Sequence, residues 1–445
     1  MPAQRDFSVA IVGGGIVGLI CAIGIARAGV QVDVFETASR YGDIGAGIGV
    51  GPTAVKCLEL MGILDEVVAR SQGQGPSMRL FRFTRGADPH AVIYEYPPGP
   101  YTENETMGLG LHRAAFLEAL SRVLPPLVKS HFNKRCVGIE SSAAAADCVL
   151  LRFSDDSTHE ADVVFGADGI KSTVRMKVFG AMGDRLVDTG TRAYRGLIPA
   201  QRLRDAGIKD EMLRPWPRGW LGKDQHIISY PIQDGSIHNV VAFSTDFANA
   251  MVPPGPQSSW TTWVTPVTRE ETLEEFKNFG RDARTMLQCI EAPSKWAVHG
   301  LYPPLETYVA AVGEGQRLNV ALIGDAAHAM LPHLGSGAGT GIEDAYVLSS
   351  LLGHPQTRRR NLSDVLRAYD QVRVPRGSFI ASASKRAGDV YEGHGPSGPS
   401  DEGRRKDLDL QWEPIWRHDV RADVADAVGM LVKSGAFRRE ERALL

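Results

Sequence analysis

The apolar positions at the start of the chain fall in blocks. Residues 7–12 form one short apolar run and residues 30–35 a second, separated by glycines and by a segment at 19–28 rich in Ala, Ile and Leu. This pattern predicts strand, tight turn, helix and strand. Residues 54–69 set Leu58, Met61 and Val68 among polar neighbours and predict one amphipathic helix; residues 111–123 predict another, closed by Pro125 and Pro126. Hairpin-like runs follow at 136–140 and 148–153, the second turning at Ser154-Asp155-Asp156 into 160–165. Beyond residue 180 the runs at 191–198, 226–231 and 238–243 are β-like and separated by turns such as Gln233-Asp234-Gly235, the mark of an antiparallel sheet. Residues 251–259 read as a proline-rich loop, 270–276 and 283–290 as helices, and 296–301 as a return strand.

Residues 317–323 go back to the apolar strand type of the N-terminus, so the first domain is assembled from separated segments. A long helical pattern covers 362–391, residues 394–406 have the composition of a loop, and 422–432 predict a last packed helix. The expected class is α/β, with a dinucleotide-binding three-layer domain from residues 1–180 plus 301–355. A mixed-sheet substrate domain is expected at 181–300, and a C-terminal helical region at 356–445.

Composition narrows the partners. A length of 445 residues exceeds one ordinary core. The net charge of -3, with no long basic tract, speaks against nucleic acid. The five cysteines are widely spread without a CxxC, which indicates a reducing compartment and no zinc site. Residues 1–6 carry both charges and no signal-peptide core, and no apolar run reaches eighteen residues. A cytoplasmic protein without stable membrane association is expected.

The candidate chemistry begins at Gly13, Gly15 and Gly18, whose GxGxxG spacing between strand and helix suits a pyrophosphate at the helix N-terminus. Glu36 ends the second strand, 18 residues past Gly18, where a carboxylate accepts the ribose hydroxyls of adenosine and disfavours a 2'-phosphate, so FAD or NAD(H) is expected there. Residues 42–51 hold five glycines interleaved with Ile44, Ile48 and Val50, which suits backbone packed near a cofactor ring. Gly166-Ala-Asp-Gly-Ile-Lys-Ser and Gly324-Asp325 each follow an apolar strand. Gly335-Ser-Gly-Ala-Gly-Thr-Gly341 precedes a helix with open first-turn N–H groups. From the residues alone this last stretch is either a second cofactor contact or a tight structural turn.

Taken together, these motifs, with Gly45-Ala-Gly, Leu111-His-Arg113, Ala193-Tyr-Arg-Gly196, Gly324-Asp-Ala-Ala-His-Ala-Met-Leu-Pro-His and Gly341-Ile-Glu-Asp, resemble the FAD-dependent aromatic monooxygenases of the p-hydroxybenzoate hydroxylase fold. Within that family they are similar to salicylate hydroxylase and its fungal relatives. The resemblance implies that Glu36 holds the ribose, that Arg113 reaches the phosphate or ribityl region, and that Asp168 and Asp325, on the DG and GD motifs, bind the cofactor, Asp325 at the ribityl chain. Gly47, Pro332, Gly337, Ala338 and Gly339 would lie beside the isoalloxazine. It further implies NADH (or NADPH) as a transient donor, O2 as co-substrate, and attack of a flavin C4a-hydroperoxide on an electron-rich ring. A monomer or homodimer is expected on the same ground.

For the substrate, a small aromatic molecule, alternation in the strand at 191–198 puts Ala193, Arg195 and Leu197 on one face, and that at 226–230 groups His226, Ile228 and Tyr230. An Arg among small and apolar neighbours is costly to bury without an anion, so Arg195 is a candidate substrate-facing or flavin-proximal cation; an internal salt bridge is the alternative. Tyr230 resembles the phenolate-binding tyrosine of dearomatising fungal relatives, where salicylate hydroxylase carries phenylalanine; an ordinary core aromatic is the alternative. His226 and Pro332 complete the candidate catalytic set. His328 and His333, five residues apart around a proline, read as satisfied histidines and not metal ligands. Trp216, Trp220 and Trp296 either wall the pocket or belong to the core.

The expected reaction is oxidative decarboxylation of a hydroxybenzoate such as salicylate to catechol. Hydroquinone formation from 4-hydroxybenzoate, 3-hydroxybenzoate hydroxylation and dearomatising hydroxylation of a resorcylic-aldehyde-type phenol are the alternatives. A flavin dehydrogenase or oxidase, and a non-enzymatic sensor, are the competing classes.

Overall fold

The computed structural model describes residues 5–42, 47–70, 81–97, 108–142, 148–214, 216–233, 235–252, 263–312 and 317–439. Gly45 and Ala46 of the glycine-rich run, Met1–Gln4 and most of the expected loop at 251–259 lie outside them.

The apolar runs assemble a six-stranded sheet in the order Val309–Ala311, Leu318–Leu322, Val163–Gly166, Ser8–Val12, Gln31–Phe35, Val128–His131. All neighbours are parallel except the first pair. Parallel strands are covered on both faces, which is why these runs are apolar without alternation. The helix Ile16–Arg27 packs against the helix Gly337–Gly353, so the two glycine-led helices, three hundred residues apart in sequence, lie together. Cys136–Ser141, Val149–Phe153 and Thr158–Ala161 form a separate three-stranded antiparallel sheet.

An eight-stranded mixed sheet runs Val264–Pro266, Ser294–Leu301, Leu186–Pro199, Ile237–Thr245, Gln225–Ile232, Arg218–Leu221, Phe81–Arg85, Val92–Tyr96. Its one parallel contact joins Arg218–Leu221 to Phe81–Arg85. One face, carrying Tyr194, Ile198, Trp220, Ile227, Val240 and Ala242, packs on residues of the helices Ala200–Asp205, Arg269–Glu275 and Arg281–Gln288 and their flanks. Side-chain alternation turns Ala193, Arg195, His226, Tyr230, Asn239 and Phe243 to the opposite face.

The structure departs from four expectations. Residues 81–96 do not stay with the block 1–180: they supply the last two strands of the mixed sheet, Phe81–Arg85 and the edge strand Val92–Tyr96, each too short for its alternation to stand out in sequence. The region 356–445 is not separate, because the helix Leu362–Tyr391 packs on Gly337–Gly353 and Leu318–Leu322, and its Ala387, Val390 and Tyr391 join Phe83, Tyr96 and Trp412 in one apolar cluster. The helix expected at 54–69 is two, Pro52–Leu60 and Leu64–Arg70, broken where Gly62 takes φ +65°. Part of the loop expected at 394–406 is the helix Asp401–Leu408, capped by the Ser400 hydroxyl accepting from the Gly403 N–H.

These segments meet on a buried charge cluster. The Arg373 guanidinium, with no exposed side-chain surface, donates to Asp344 (2.9 Å), Glu343 (3.0 Å), Asp423 (2.9 Å) and the Thr340 carbonyl (3.2 Å). Arg376 donates to both Glu343 oxygens and to the carbonyls of Pro414 and Ile415. Asp344 also accepts from the Gly324 N–H at 3.0 Å and lies 2.6 Å from His328 Nε2. Burial alone would raise the Asp344 carboxyl, but His328 and Arg373 outweigh it and hold the group below its ordinary value.

Removing one member of a buried pair strands the other, at a cost of about 3–5 kcal/mol. Arg373→Met is therefore expected to lower the urea-unfolding free energy by about that amount. Because the Asp344 and Asp423 carboxyls are depressed in the folded chain, their stabilisation is present above the ordinary carboxylate range and is lost as pH falls through their folded values. Acid titration of unfolding in wild type and Arg373→Met checks this: the wild type should lose the larger share of its stability.

Candidate active site

The three N-terminal glycines do different work. Gly13 takes φ +108°, and a Cβ there would lie 2.3 Å from the Ala167 carbonyl oxygen. A Cβ on Gly18 would lie 2.1 Å from the Gly13 carbonyl oxygen, so the helix Ile16–Arg27 sits flush on the strand end. Around Gly15 a Cβ would meet nothing within 4 Å, and no side chain caps the helix that follows. A tight turn, an open approach to N–H groups and close helix packing are the requirements of a bound pyrophosphate. Glu36 is held in place beside them: its two carboxylate oxygens accept from the Gly14 and Ala38 N–H groups, each at 2.8 Å.

Asp168, expected to touch the cofactor, is engaged within the chain. Its carboxylate accepts from the Ser172 hydroxyl (2.5 Å) and the N–H groups of Thr173 (2.6 Å) and Val174 (3.1 Å). Burial raises its pKa and these bonds oppose the rise. This loop therefore meets the nucleotide turn with its backbone, at the Ala167 carbonyl and the Asp168 N–H against Gly13.

Asp325 behaves differently. It follows Gly324, at φ +60°, is exposed, and has no hydrogen-bond or ion-pair partner among the described residues. A Cβ on Gly337 would meet only Met330 Cγ at 3.8 Å and Asp325 Oδ1 at 3.9 Å. The Ser336 side chain does not cap the helix Gly337–Gly353, leaving the first-turn N–H groups of Gly337, Ala338 and Gly339 open beside that carboxylate. The loop before it is pinned to the long helix, because the Ser384 hydroxyl donates to the Leu331 carbonyl (2.6 Å) and accepts from the Leu334 N–H (3.2 Å). Pro332 is exposed on this loop and His333 is buried under it.

A two-stranded ribbon and the Pro332 loop each meet the mixed sheet. Gly47 lies in a two-stranded ribbon, Gly47–Val50 with Leu109–His112, where residues 42–51 gave no strand pattern. Its N–H donates to Asn239 Oδ1 at 3.3 Å, and a Cβ on it would lie 3.0 Å from Asn239 and 3.1 Å from the Tyr230 hydroxyl. Arg113 directly follows the ribbon. Further along, the His333 ring stands 5.1 Å from that of His226.

On the sheet, Tyr230 pairs with Asn239 and Asn239 with Leu197; Ile228 pairs with Val241 and Val241 with Arg195; His226 pairs with Phe243 and Phe243 with Ala193. The periodicity thus places Arg195, Tyr230 and His226 on one face. Arg195 is half-buried, lies over the Trp296 ring at 5.2 Å, and has no carboxylate partner among the described residues. Burial lowers its pKa, Arg113 adds to the fall, and Tyr230 opposes it. Burial pushes the Tyr230 phenol up to about 12 against the pull of Arg195, so it is a neutral O–H donor. His226 lies deeper, fully buried, stacked on Phe243 at 4.6 Å with Nδ1 at 2.8 Å from Glu392 Oε1. Of the tryptophans, Trp220 belongs to the opposite face and Trp216 stacks with Arg82 and Arg214 away from the site.

Asn239 and Glu392 were not singled out in the sequence. Asn239 is legible afterwards, two residues before Val241 on the same face, and its Nδ2 is buried without a partner among the described residues. Nothing local marks Glu392, which reaches His226 across 166 positions.

A glycine turn open at Gly15, an acid fixed beside it and a second glycine-led helix packed on the first suit an oxidoreductase that holds a dinucleotide. The family described as FAD binding domain matches residues 6–182 and 223–384, more than half of the chain. Salicylate hydroxylase of Pseudomonas putida is 38% identical over 443 residues, covering 96% of this chain and 94% of its own. The 6-methylsalicylate 1-monooxygenase atA of Aspergillus terreus is 34% identical over 398 residues, with 87% and 83% covered. The solved structure of a salicylate hydroxylase substrate complex superposes with a TM-score of 0.80 at 32% identity, over 95% of this chain and 98% of that one. The chain belongs to the FAD-dependent aromatic monooxygenases of the p-hydroxybenzoate hydroxylase type, and it is a flavoprotein enzyme.

Gly13 and Gly15 separate fold from cofactor. Gly13→Ala drives a Cβ into backbone and should lower both stability and flavin content. Gly15→Ala meets no chain atom, so thermal unfolding of the flavin-free chain should be unchanged while FAD affinity, read by quenching of flavin fluorescence, falls. Equal loss of stability in both would contradict the assignment of an open side to Gly15.

Proposed function

We propose that the chain hydroxylates a phenolic acid, and that oxidative decarboxylation of a hydroxybenzoate such as salicylate to catechol is the reading supported best. The observation that carries it is Arg195: a half-buried cation, on the sheet face that meets the Gly47 ribbon, without a carboxylate partner among the described residues. A guanidinium in that setting favours an anionic ligand, and its fork matches a carboxylate or a carboxylate and phenolate together. The similarity to salicylate hydroxylase and to 6-methylsalicylate 1-monooxygenase supports the same substrate class.

Bound FAD supplies the redox chemistry, with reduced nicotinamide, NADH by resemblance, as donor and O2 as co-substrate. The chain's own residues orient and polarise the ring. Arg195 favours the phenolate over the phenol, which makes the ring electron-rich, and Tyr230 donates a hydrogen bond that stays available because its phenol remains protonated. Asn239 ties Gly47 to the sheet and thereby sets the distance between the cofactor-side ribbon and the Tyr230 hydroxyl. Attack at the carboxylate-bearing carbon expels CO2; attack elsewhere does not, and a shift of about 1 Å in ring position decides between them.

A second reading has its own support. Tyr230 beside Arg195 offers two points of attachment to a phenolate oxygen, an arrangement equally suited to hydroxylation that retains the ring substituent, including dearomatising hydroxylation.

NADH consumption, O2 uptake, CO2 and organic product measured together on FAD-loaded enzyme distinguish the two. Salicylate should stimulate NADH oxidation with CO2 and catechol in equal yield. Product that keeps its carboxylate or carbonyl would move the assignment to the second reading, and peroxide alone across all phenolic acids would overturn both. Arg195→Ala should lower kcat/KM by roughly 10²-fold or more, as removal of a preorganised charge-stabilising donor does. The effect of Tyr230→Phe should be the same at every pH between about 6 and 9, since the phenol does not titrate there.

A further inference from the structure

The His226 ring is the deepest polar group on the site face, and burial drives its imidazole strongly toward the neutral form. Alone, such a histidine is a poor proton acceptor at neutral pH, because an imidazolium in an apolar setting of Phe243 and Tyr391 is costly. It is not alone. Its Nδ1 lies 2.8 Å from Oε1 of Glu392, a carboxyl 2% exposed at the end of the long helix Leu362–Tyr391. On the other side of the ring, His226 Nε2 and the Nδ1 of His333 are both buried without hydrogen-bond partners among the described residues, in rings 5.1 Å apart. His333 belongs to the loop that carries Pro332 into the site.

We propose that Glu392 is a positioning residue that makes His226 a neutral-to-neutral proton acceptor: a proton taken up at Nε2 is matched by transfer of the Nδ1 proton to Glu392. Before the transfer, the carboxylate accepts from Nδ1–H and Nε2 carries a lone pair. Afterwards, the carboxylic acid donates to Nδ1 and Nε2 carries the hydrogen. The imidazole is neutral in both states, one proton has entered, and the pair has gone from one negative charge to none, which burial favours. Where the proton is that of the phenolic substrate, the role rests on the function proposed above; the tautomer exchange itself does not.

The groups around Glu392 set its titration. Burial raises it, to about 7; His333 from the loop and the Thr245 hydroxyl from the neighbouring strand lower it; Asp224, which precedes the His226 strand, and Asp389 on its own helix raise it further. Lys385 on the same helix acts on His333, and the Asp224 carboxylate is paired with His394 at 2.6 Å. The acceptor state is thus present above about pH 7 and is lost as pH falls through that value.

The test is nitrogen NMR of 15N-histidine-labelled holoenzyme without substrate, across about pH 6 to 8, on either side of that midpoint. Of the 12 histidines, one should exchange the shifts of its protonated and unprotonated ring nitrogens while never showing the cationic pattern. In Glu392→Gln that exchange should vanish, and in substrate-driven turnover the rise in kcat/KM through about pH 7 should vanish with it, with kcat/KM lowered by roughly 10²-fold and FAD content unchanged. A His226 signal of fixed tautomer in the wild type overturns the proposal, whether or not Glu392→Gln folds. An unchanged pH profile in a folded Glu392→Gln overturns it as well. If no phenolic acid is turned over, the function proposed above fails, while the NMR exchange still decides the role of Glu392.

Discussion

A single buried guanidinium fixes the frame on which the site depends. Arg373 would be a large cost in an apolar interior, and it is tolerated because three carboxylates and a carbonyl complete its hydrogen bonds. Those partners come from different parts of the chain: Glu343 and Asp344 from the helix after the late glycine run, Asp423 from the helix Val420–Lys433. Through Asp344 the cluster reaches the Gly324 N–H and His328, and so it holds the turn that presents Asp325. Glycine-rich loops have no side chains with which to fix their own shape. Their geometry is borrowed from this cluster and from Ser384, which clamps the Pro332 loop from the long helix.

The second constraint is where the two sheets touch. A Cβ on Gly47 would lie 3.0 Å from the Asn239 side chain and 3.1 Å from the Tyr230 hydroxyl, so the separation between the ribbon backbone and this phenol is set by close packing. The same sheet face grades from open to closed: Arg195 and Tyr230 half-buried, then His226 fully enclosed against Phe243, His333 and Glu392. Charge thus lies at the open end of the face and a buried imidazole–carboxyl pair at the closed end.

Much of this was legible from the residues, and the reasons are physical. Parallel strands buried on both sides announce themselves as unbroken apolar runs, and the helix Leu362–Tyr391 showed its full length because nothing but Pro375 interrupts its pattern. Period-two alternation put Arg195, His226 and Tyr230 on the face where they lie. What stayed hidden was long-range pairing. The strand at 81–85 pairs Arg82 with Arg218, 136 residues away, and the Asp168 carboxylate is bonded to Ser172 and to the first turn of the next helix, an engagement its motif does not announce. Glu392 and Arg373 are ordinary charged residues on a helix by sequence; only tertiary packing buries them beside their partners.

The most direct test is a crystal structure of the FAD-loaded enzyme with salicylate bound. The aromatic ring should lie between the Pro332 loop and the sheet face, with a ligand oxygen in hydrogen-bond contact with the Arg195 guanidinium and the Tyr230 hydroxyl. A ligand bound away from that face, with Arg195 paired instead to a carboxylate of the chain, would contradict this placement.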